Sequence, residues 1–164
     1  MRDIPISDNF PAGFYEEVGR LVIAFGRVEY LIKLCFKDLQ GKGFSLGMAE
    51  AESESRGFAD FCERRLTELA KHKLSTTDAD AFCDLMMKVL PLIIFRNDAV
   101  HAWWYADSKG LPSRIRPKKD SDASVDWSRG RVVRVSEIRS AREEIERLYR
   151  DLETQRGTWT GREP

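Results

Sequence analysis

The residues of this chain best suited to chemistry are Arg96 and His101, which open and close the segment RNDAVH at 96–101. A guanidinium can hold a phosphate group through several N–H donors, and an imidazole can accept or donate a proton near neutral pH. Cleavage of an RNA backbone needs both abilities. The chain's other histidine, His72, lies between two lysines at the predicted end of a helix, which favours a simple charge–dipole contact.

Arg96 occupies a position where the helical pattern predicts an apolar side chain. The seam that runs through Val89 and Ile93 continues, at the same spacing, to Arg96. Burying an arginine without partners is costly, so Arg96 must be paired or must line a cavity. Glu29, on the flank of the apolar stripe of the first predicted helix, is the candidate partner. It either forms an inter-helix ion pair that fixes register, or orients Arg96 or His101 at the rim of a site.

The spacing of the polar residues favours a site built from two copies of the chain. Asn97 and His101 are four residues apart and share one helix face, so we expect the Asn97 amide to hold one imidazole nitrogen. Arg96 and His101 are about 140° apart around an ideal helix, so one straight helix does not aim both at the same small target. Either the helix unwinds near His101, or two protomers contribute across a two-fold axis of a homodimer.

Length and composition predict one cytoplasmic domain. The chain has 164 residues, 42% of them hydrophobic, which is enough for a single core. We expect one domain over 1–164, with a core at about 11–156 and a frayed tail at 157–164.

The formal net charge is zero, so an RNA contact needs a local basic patch. Three separated cysteines predict reduced core thiols. The sequence has no membrane-span pattern and no metal or nucleotide motif, so we expect no membrane association, metal or cofactor.

Apolar residues that recur at alternating spacings of three and four predict four helices. The first is long, has Pro11 in its first turn and ends at Gly41 and Gly43. The second covers 57–73, and the segment 45–56 before it is open between a loop and a short helix. Together with the insertion described below, these elements predict a mostly α fold, an antiparallel four-helix bundle with a small β-hairpin insertion before the last helix.

The third and fourth helices carry recognisable end signals. A capping box places the start of the third helix near Thr77, and Pro91 predicts a kink in it or a break with a fresh helix beyond. The last helix is predicted to begin at Ser136 as N-cap, with Glu137 favourable at its positive end. Gly157 is predicted to end it.

The segment 105–135 is predicted to form the insertion, because alternation and turn signals replace the helical period. Strands are expected within 105–119 and 129–135, with turns at 107–110 and 128–130 and a polar connection at 120–126. The segment is rich in basic residues, which are either a solvated loop or an RNA contact. Its aromatic neighbours either pack in the hairpin or dimer, or stack on unpaired bases. The candidate RNA contacts are Trp103, Trp104, Tyr105, Arg114 and Arg116.

The segment 96–101 resembles the R-polar-x(3)-H motif of HEPN domains, and residues 25–29, which end at Glu29, are similar to that family's opening helix. The resemblance implies a metal-independent endoribonuclease, often a toxin or host-defence effector, that works as a homodimer. It implies that Arg96 and His101 are catalytic and that Asn97 supports them. HEPN toxins silenced by a partner nucleotidyltransferase usually have a tyrosine two residues after the histidine. This chain has Trp103 there, so control by such a cognate antitoxin is not implied.

Two other classes of function are open from the sequence. HEPN-like bundles also serve as non-catalytic binding, regulatory or immunity-type partner proteins, in which residues 96, 97 and 101 would form a satisfied polar cluster. A structural protein would use its apolar seams for assembly and would need no groove. If residues 96, 97 and 101 are catalytic, they should open on a groove that two protomers share. If they are structural, Glu29 should close them off.

Overall fold

The computed structural model of the chain describes residues 10–107, 109–115 and 131–161. Helices dominate this part of the chain, and three short strands precede the last helix, so the mostly α fold with a small β insertion is confirmed. None of the helices in these ranges is long and apolar enough to cross a membrane. The three long helices are α1 (Phe14–Gln40), α5 (Thr76–His101) and α6 (Val135–Thr160).

The connection between α1 and α5 is almost entirely helical. The segment that the sequence left open between loop and helix forms a helix, and the predicted second helix is divided by a change in helical pitch. The order is α2 (Phe44–Glu54), a 3₁₀ turn (Ser55–Gly57), α3 (Phe58–Asp60), a π-helical segment (Phe61–Leu66) and α4 (Thr67–Lys73).

One hydrophobic core holds the helices together. The apolar side chains that recur at spacings of three and four along α1 are buried, except Val18, which is half-buried. Each large apolar side chain taken fully out of water contributes about 1.5–3 kcal/mol to the free energy of burial. The largest of these buried side chains are Phe25, Phe36, Phe61, Phe82, Leu21, Ile32, Leu66, Met86, Ile138, Ile145, Leu148 and Leu152.

Helix α5 begins within one residue of the start predicted near Thr77, which is confirmed. Its N-cap is Ser75, which accepts a hydrogen bond from the Asp78 backbone N–H at 3.2 Å, so the predicted capping box that starts at Thr77 is wrong. No fresh helix begins at Pro91, because α5 continues through it to its last residue. Pro91 is exposed, so water can satisfy the carbonyl that the missing N–H leaves free. The kink stays a prediction.

Helix α6 begins one residue before the predicted cap. Arg134 is the N-cap, and its backbone N–H donates to the Glu137 carboxylate at 2.7 Å, so Ser136 as N-cap is wrong. The earlier start follows from the preceding residue: buried Val133 donates its N–H to the Pro112 carbonyl at 2.8 Å and fixes the chain there. Glu137 at the positive end of the helix is confirmed.

Helix α6 also ends later than predicted. It passes through Gly157 to Thr160, and Gly161 closes it in a left-handed conformation with φ 65°. The reason is tertiary packing: the Trp159 ring meets Phe82 of α5 edge-on, with centroids 5.3 Å apart. Residues 157–160 are therefore helical and not a frayed tail.

The insertion is a three-stranded antiparallel sheet in the order β1 (Trp103–Ala106), β2 (Pro112–Ile115), β3 (Arg131–Val132). It thus starts two residues before the predicted insertion. The turn predicted at 107–110 is confirmed: the Asp107 side chain accepts from the backbone N–H of Lys109 at 2.8 Å and of Leu111 at 2.9 Å. The predicted strand residues 116–119 and 129–130, the second turn and the connection 120–126 lie outside the described residues.

The three thiols are unpaired, and two of them belong to the core. Cys35 and Cys62 are buried, and Cys83 is half-buried. Burial raises the pKa of both Cys35 and Cys62 to about 12, which keeps these thiols protonated. The prediction of buried core thiols is therefore confirmed for two of the three.

Gly47 permits the close approach of α2 to α1. A Cβ atom at this position would overlap Cγ and Cβ of Lys37, whereas a Cβ at Gly19, on the open side of α1, would meet nothing within 4 Å. We expect Gly47→Ala to lower the free energy of unfolding by about 1–3 kcal/mol through overpacking. Gly19→Ala is the matched control and should raise it by about 0.5–1 kcal/mol. Urea unfolding measures both, and equal effects of the two substitutions would contradict the packing argument.

Candidate functional site

Arg96 lies where α5 faces α1, and its guanidinium is held on two sides. Nη2 donates to Glu29 Oε2 at 3.1 Å, and Nη1 donates to the Asn97 side-chain oxygen at 2.8 Å. The guanidinium carbon lies 4.8 Å from the centroid of the Phe25 ring, a cation–π contact with the core. The predicted ion pair between Arg96 and Glu29 is confirmed, and it joins the two helices.

Glu29 also contacts a lysine that the sequence analysis did not identify. Lys33 Nζ donates to Glu29 Oε1 at 3.0 Å and to Glu52 of α2 at 2.6 Å. Burial alone would lower the pKa of Lys33, whose side chain is 9% exposed, but the hydrogen bonds to Glu52 and Glu29 outweigh burial and raise it. The result is a chain of alternating charge across three helices, from Glu52 through Lys33 and Glu29 to Arg96.

A sequence signal for Lys33 exists. It follows Glu29 by four residues, the spacing at which a glutamate and a lysine meet on one helix face. Glu52, by contrast, lies in the segment whose helical state was open. Only the packing of α2 on α1 brings it to Lys33.

Arg96 opens on a surface cavity of about 540 Å³ between α1, α5 and the turn at 55–57. The Arg96 side chain is 25% exposed, and among the described residues the hydrogen bonds to Glu29 and Asn97 use two of its five N–H groups. Glu29 lines this cavity and also a second one of about 560 Å³ beside Lys33 and Glu52. Arg96 is therefore oriented by its neighbours yet keeps N–H donors for an incoming anion.

His101 is exposed and is the last residue of α5. Because α5 stays helical up to it, the expected unwinding near His101 is wrong, and the angle of about 140° between Arg96 and His101 is retained. The amide oxygen of Asn97 accepts from Arg96, and no hydrogen bond joins Asn97 to His101 among the described residues. The structure thus brings together Glu29, Arg96 and Asn97, and leaves His101 on another face.

The structure corrects the role expected of Arg114. Its side chain is 8% exposed, and Nη2 lies 3.2 Å from the Asp98 carboxylate in the last turns of α5. Its guanidinium carbon also lies 5.2 Å from the centroid of the Phe95 ring. Arg114 is therefore an interior residue and not an accessible RNA contact, because a long-range contact with α5 buries it.

Three aromatic residues are candidate RNA contacts: Trp103, Trp104 and Tyr105. Trp104 is half-buried, donates its indole N–H to the Ala99 carbonyl at 2.8 Å, and meets the Phe14 ring edge-on with centroids 4.9 Å apart. Packing thus uses the indole N–H of Trp104 and places its ring against Phe14. Tyr105 is half-buried. The Trp103 side chain and Arg116 lie outside the described part of the chain.

No protein-family model, no curated protein and no solved structure matches this chain. The HEPN resemblance accordingly rests on the residue types at 96–101 and on Glu29. It stays a prediction.

Proposed function

We propose that this chain is a metal-independent endoribonuclease, a cytoplasmic toxin or host-defence effector built as an HEPN-like antiparallel four-helix bundle. Its working form is a homodimer, in which Arg96 binds the scissile phosphate and His101 transfers protons. The observation that carries the proposal is the state of Arg96: its side chain is oriented and partly exposed at the edge of a cavity, and it has N–H donors that neither Glu29 nor Asn97 uses.

The reaction uses two groups of the chain and the RNA itself. The ribose 2′-hydroxyl attacks the adjacent phosphorus while His101 of one protomer accepts the hydroxyl proton. The bond from phosphorus to the 5′-oxygen breaks, and that oxygen takes the proton from the imidazolium of the same His101. Arg96 neutralises the charge that the phosphate oxygens gain in the transition state. The products carry a 2′,3′-cyclic phosphate and a 5′-hydroxyl.

The geometry of α5 is the reason to propose a dimer. Within one protomer, Arg96 points toward α1 while His101 stands about 140° away on the exposed side of the helix. The proposed site therefore joins Arg96 of one protomer to His101 of the other, as a two-fold symmetric pair of sites. Two exposed apolar residues, Ile94 on α5 and Ile23 on α1, are 61% and 62% exposed and are available for such a contact.

A mixing experiment tests the shared site directly. Arg96→Ala and His101→Ala are purified separately, unfolded and refolded together, and assayed on single-stranded RNA in EDTA. Each variant alone should be inactive, whereas the mixture should recover up to about a quarter of the unmodified activity, because half the dimers are mixed and each keeps one intact Arg96–His101 pair. Mass spectrometry of the cut ends should find cyclic phosphates.

The controls separate dimerisation from chemistry. Mixing Arg96→Ala with the double variant Arg96→Ala/His101→Ala should recover nothing, since no intact pair can form. If native mass spectrometry detects mixed dimers but the first mixture recovers no activity, the shared site is overturned. Loss of all cleavage by the unmodified protein in EDTA would overturn metal-independent catalysis.

A second function has one observation in its favour. Arg96 is held by Glu29 and Asn97, which is what a non-catalytic binding or regulatory module needs to pair a half-buried charge. In that case Arg96 and His101 would be independent of each other, and RNA or a partner protein such as an immunity protein would bind without being cut. Binding of RNA by the unmodified chain without new ends would favour this alternative.

A further inference from the structure

The last turn of α5 needs support from outside the helix. The final carbonyls of a helix have no intrahelical donors, so helix ends fray unless other groups bind them. His101 is the final helical residue, and the next residue, Ala102, is already extended with ψ 153°. The Ala102 N–H donates to the Asp98 carbonyl at 3.1 Å. A second bond comes from Trp104, whose indole N–H binds the Ala99 carbonyl at 2.8 Å.

Arg114 supplies a further link to the same turn. It reaches from β2 to the Asp98 carboxylate at 3.2 Å and lies over the Phe95 ring. Trp104 of β1 and Arg114 of β2 are directly paired across the sheet, so their side chains share one face. One cross-strand pair thus holds both a carbonyl and a carboxylate of the turn that ends at His101.

Arg114 is not explained by stability alone. Its Nη1 is buried and has no hydrogen-bond partner among the described residues, so the guanidinium is only partly satisfied. Apolar side chains of similar volume commonly replace buried ion pairs without loss of stability. What an apolar residue cannot do is form an ion pair with the Asp98 carboxylate, three residues before His101.

We propose that Arg114, together with its strand partner Trp104, is a positioning residue for His101. The pair keeps the last turn of α5 helical and thereby fixes where the imidazole stands for proton transfer. The catalytic consequence rests on the proposed endoribonuclease activity, whereas the positioning itself does not. The sheet accordingly supports α5, the helix that carries residues 96–101. Arg114 is not part of an RNA-binding surface.

The experiment compares Arg114→Met with Arg131→Met in the full chain. Methionine keeps aliphatic volume but cannot bind Asp98, and Arg131 is the exposed β3 partner of Arg114. The imidazole NMR signals of the two histidines are the readout. We expect Arg114→Met to shift and broaden the His101 signals while the His72 signals stay unchanged. Arg131→Met should change neither.

Cleavage gives the second readout. Arg114→Met should lower kcat at least about tenfold, because the proton donor and acceptor are misplaced. KM should change less than about twofold, since Arg96 still binds phosphate. Equal changes in kcat and KM would mean general damage to the fold and would contradict the positioning role.

Unchanged His101 signals in a folded Arg114→Met variant would overturn the proposal. If that variant does not fold, Trp104→Phe takes its place, since it removes the indole N–H to Ala99 and keeps an aromatic ring beside Phe14. It should also shift and broaden the His101 signals, and an unchanged spectrum would likewise overturn the proposal. If the unmodified chain cuts no RNA, the proposed function fails, but the NMR comparison still decides the role of Arg114.

Discussion

Replacing His101 by alanine should lower the rate of RNA cleavage by about 10²–10⁴-fold, the usual contribution of a positioned acid–base group. The same substitution should shift the midpoint of thermal unfolding by less than about 2 °C, because exposed side chains contribute little to stability. His101 is exposed at the end of α5, so its removal leaves no cavity, and none of the described residues forms a hydrogen bond with its imidazole. Initial rates on a labelled single-stranded RNA in EDTA, together with a thermal melt, measure both effects.

His72→Ala is the matched control for this loss. His72 is also an exposed histidine in the last turn of a helix, α4, but it lies outside the segment 96–101 that begins with the cavity-lining Arg96. Its removal should leave the cleavage rate unchanged. Cleavage that survives in His101→Ala would refute the mechanism. A similar loss in both variants would mean that the assay responds to something other than the site.

Replacing Glu17 by alanine should destabilise the chain by about 3 kcal/mol, the lower end of the cost of removing one partner from a buried ion pair. The Glu17 side chain is 7% exposed and accepts hydrogen bonds from Arg139 at 3.0 Å and Arg142 at 3.1 Å. These bonds join the start of α1 to the start of α6. The expected cost is at the lower end because Arg139 is half exposed and can turn to water. Urea unfolding at pH 7 and one fixed protein concentration gives the value.

The pH dependence provides an independent check. Burial alone would raise the pKa of Glu17, but hydrogen bonds from Arg139 and Arg142 outweigh burial and hold the pKa below its usual value. As the pH falls, the Glu17 carboxylate of the unfolded chain therefore takes up its proton at about pH 4.3, a higher pH than in the folded chain. The stabilising contribution is complete above that pH and is lost as pH falls toward the folded pKa. The stability difference between the unmodified chain and Glu17→Ala should accordingly shrink in acid.

Glu16→Ala is the control within the same turn. Glu16 pairs with Arg20 at 2.6 Å, but both side chains are more than half exposed. Its loss should cost less than about 1 kcal/mol, as is usual for a surface pair. Equal losses for the two glutamates would contradict the role assigned to burial.

The sequence determined the helices and the pairing partner of Arg96. Apolar residues at helical spacing predicted the inward faces of α1, α5 and α6, because such a stripe has to leave water whatever it packs against. The cost of an unpaired arginine predicted that Arg96 needs a partner, and Glu29 was the carboxylate on the adjacent stripe. Element boundaries were less certain, since tertiary contacts such as Trp159 with Phe82 extended α6 past Gly157.

Tertiary structure alone decided which charged residues are accessible and which share a site. Lys33 and Glu52 are joined because α2 packs on α1, and the Arg114 side chain is interior, where it reaches from β2 to Asp98 and Phe95 of α5. Local sequence contains neither fact, since both contacts link residues far apart in the chain, and burial depends on what the rest of the fold places above a side chain. For the same reason, the composition of the basic segment 107–135 did not reveal that Arg114 faces Asp98.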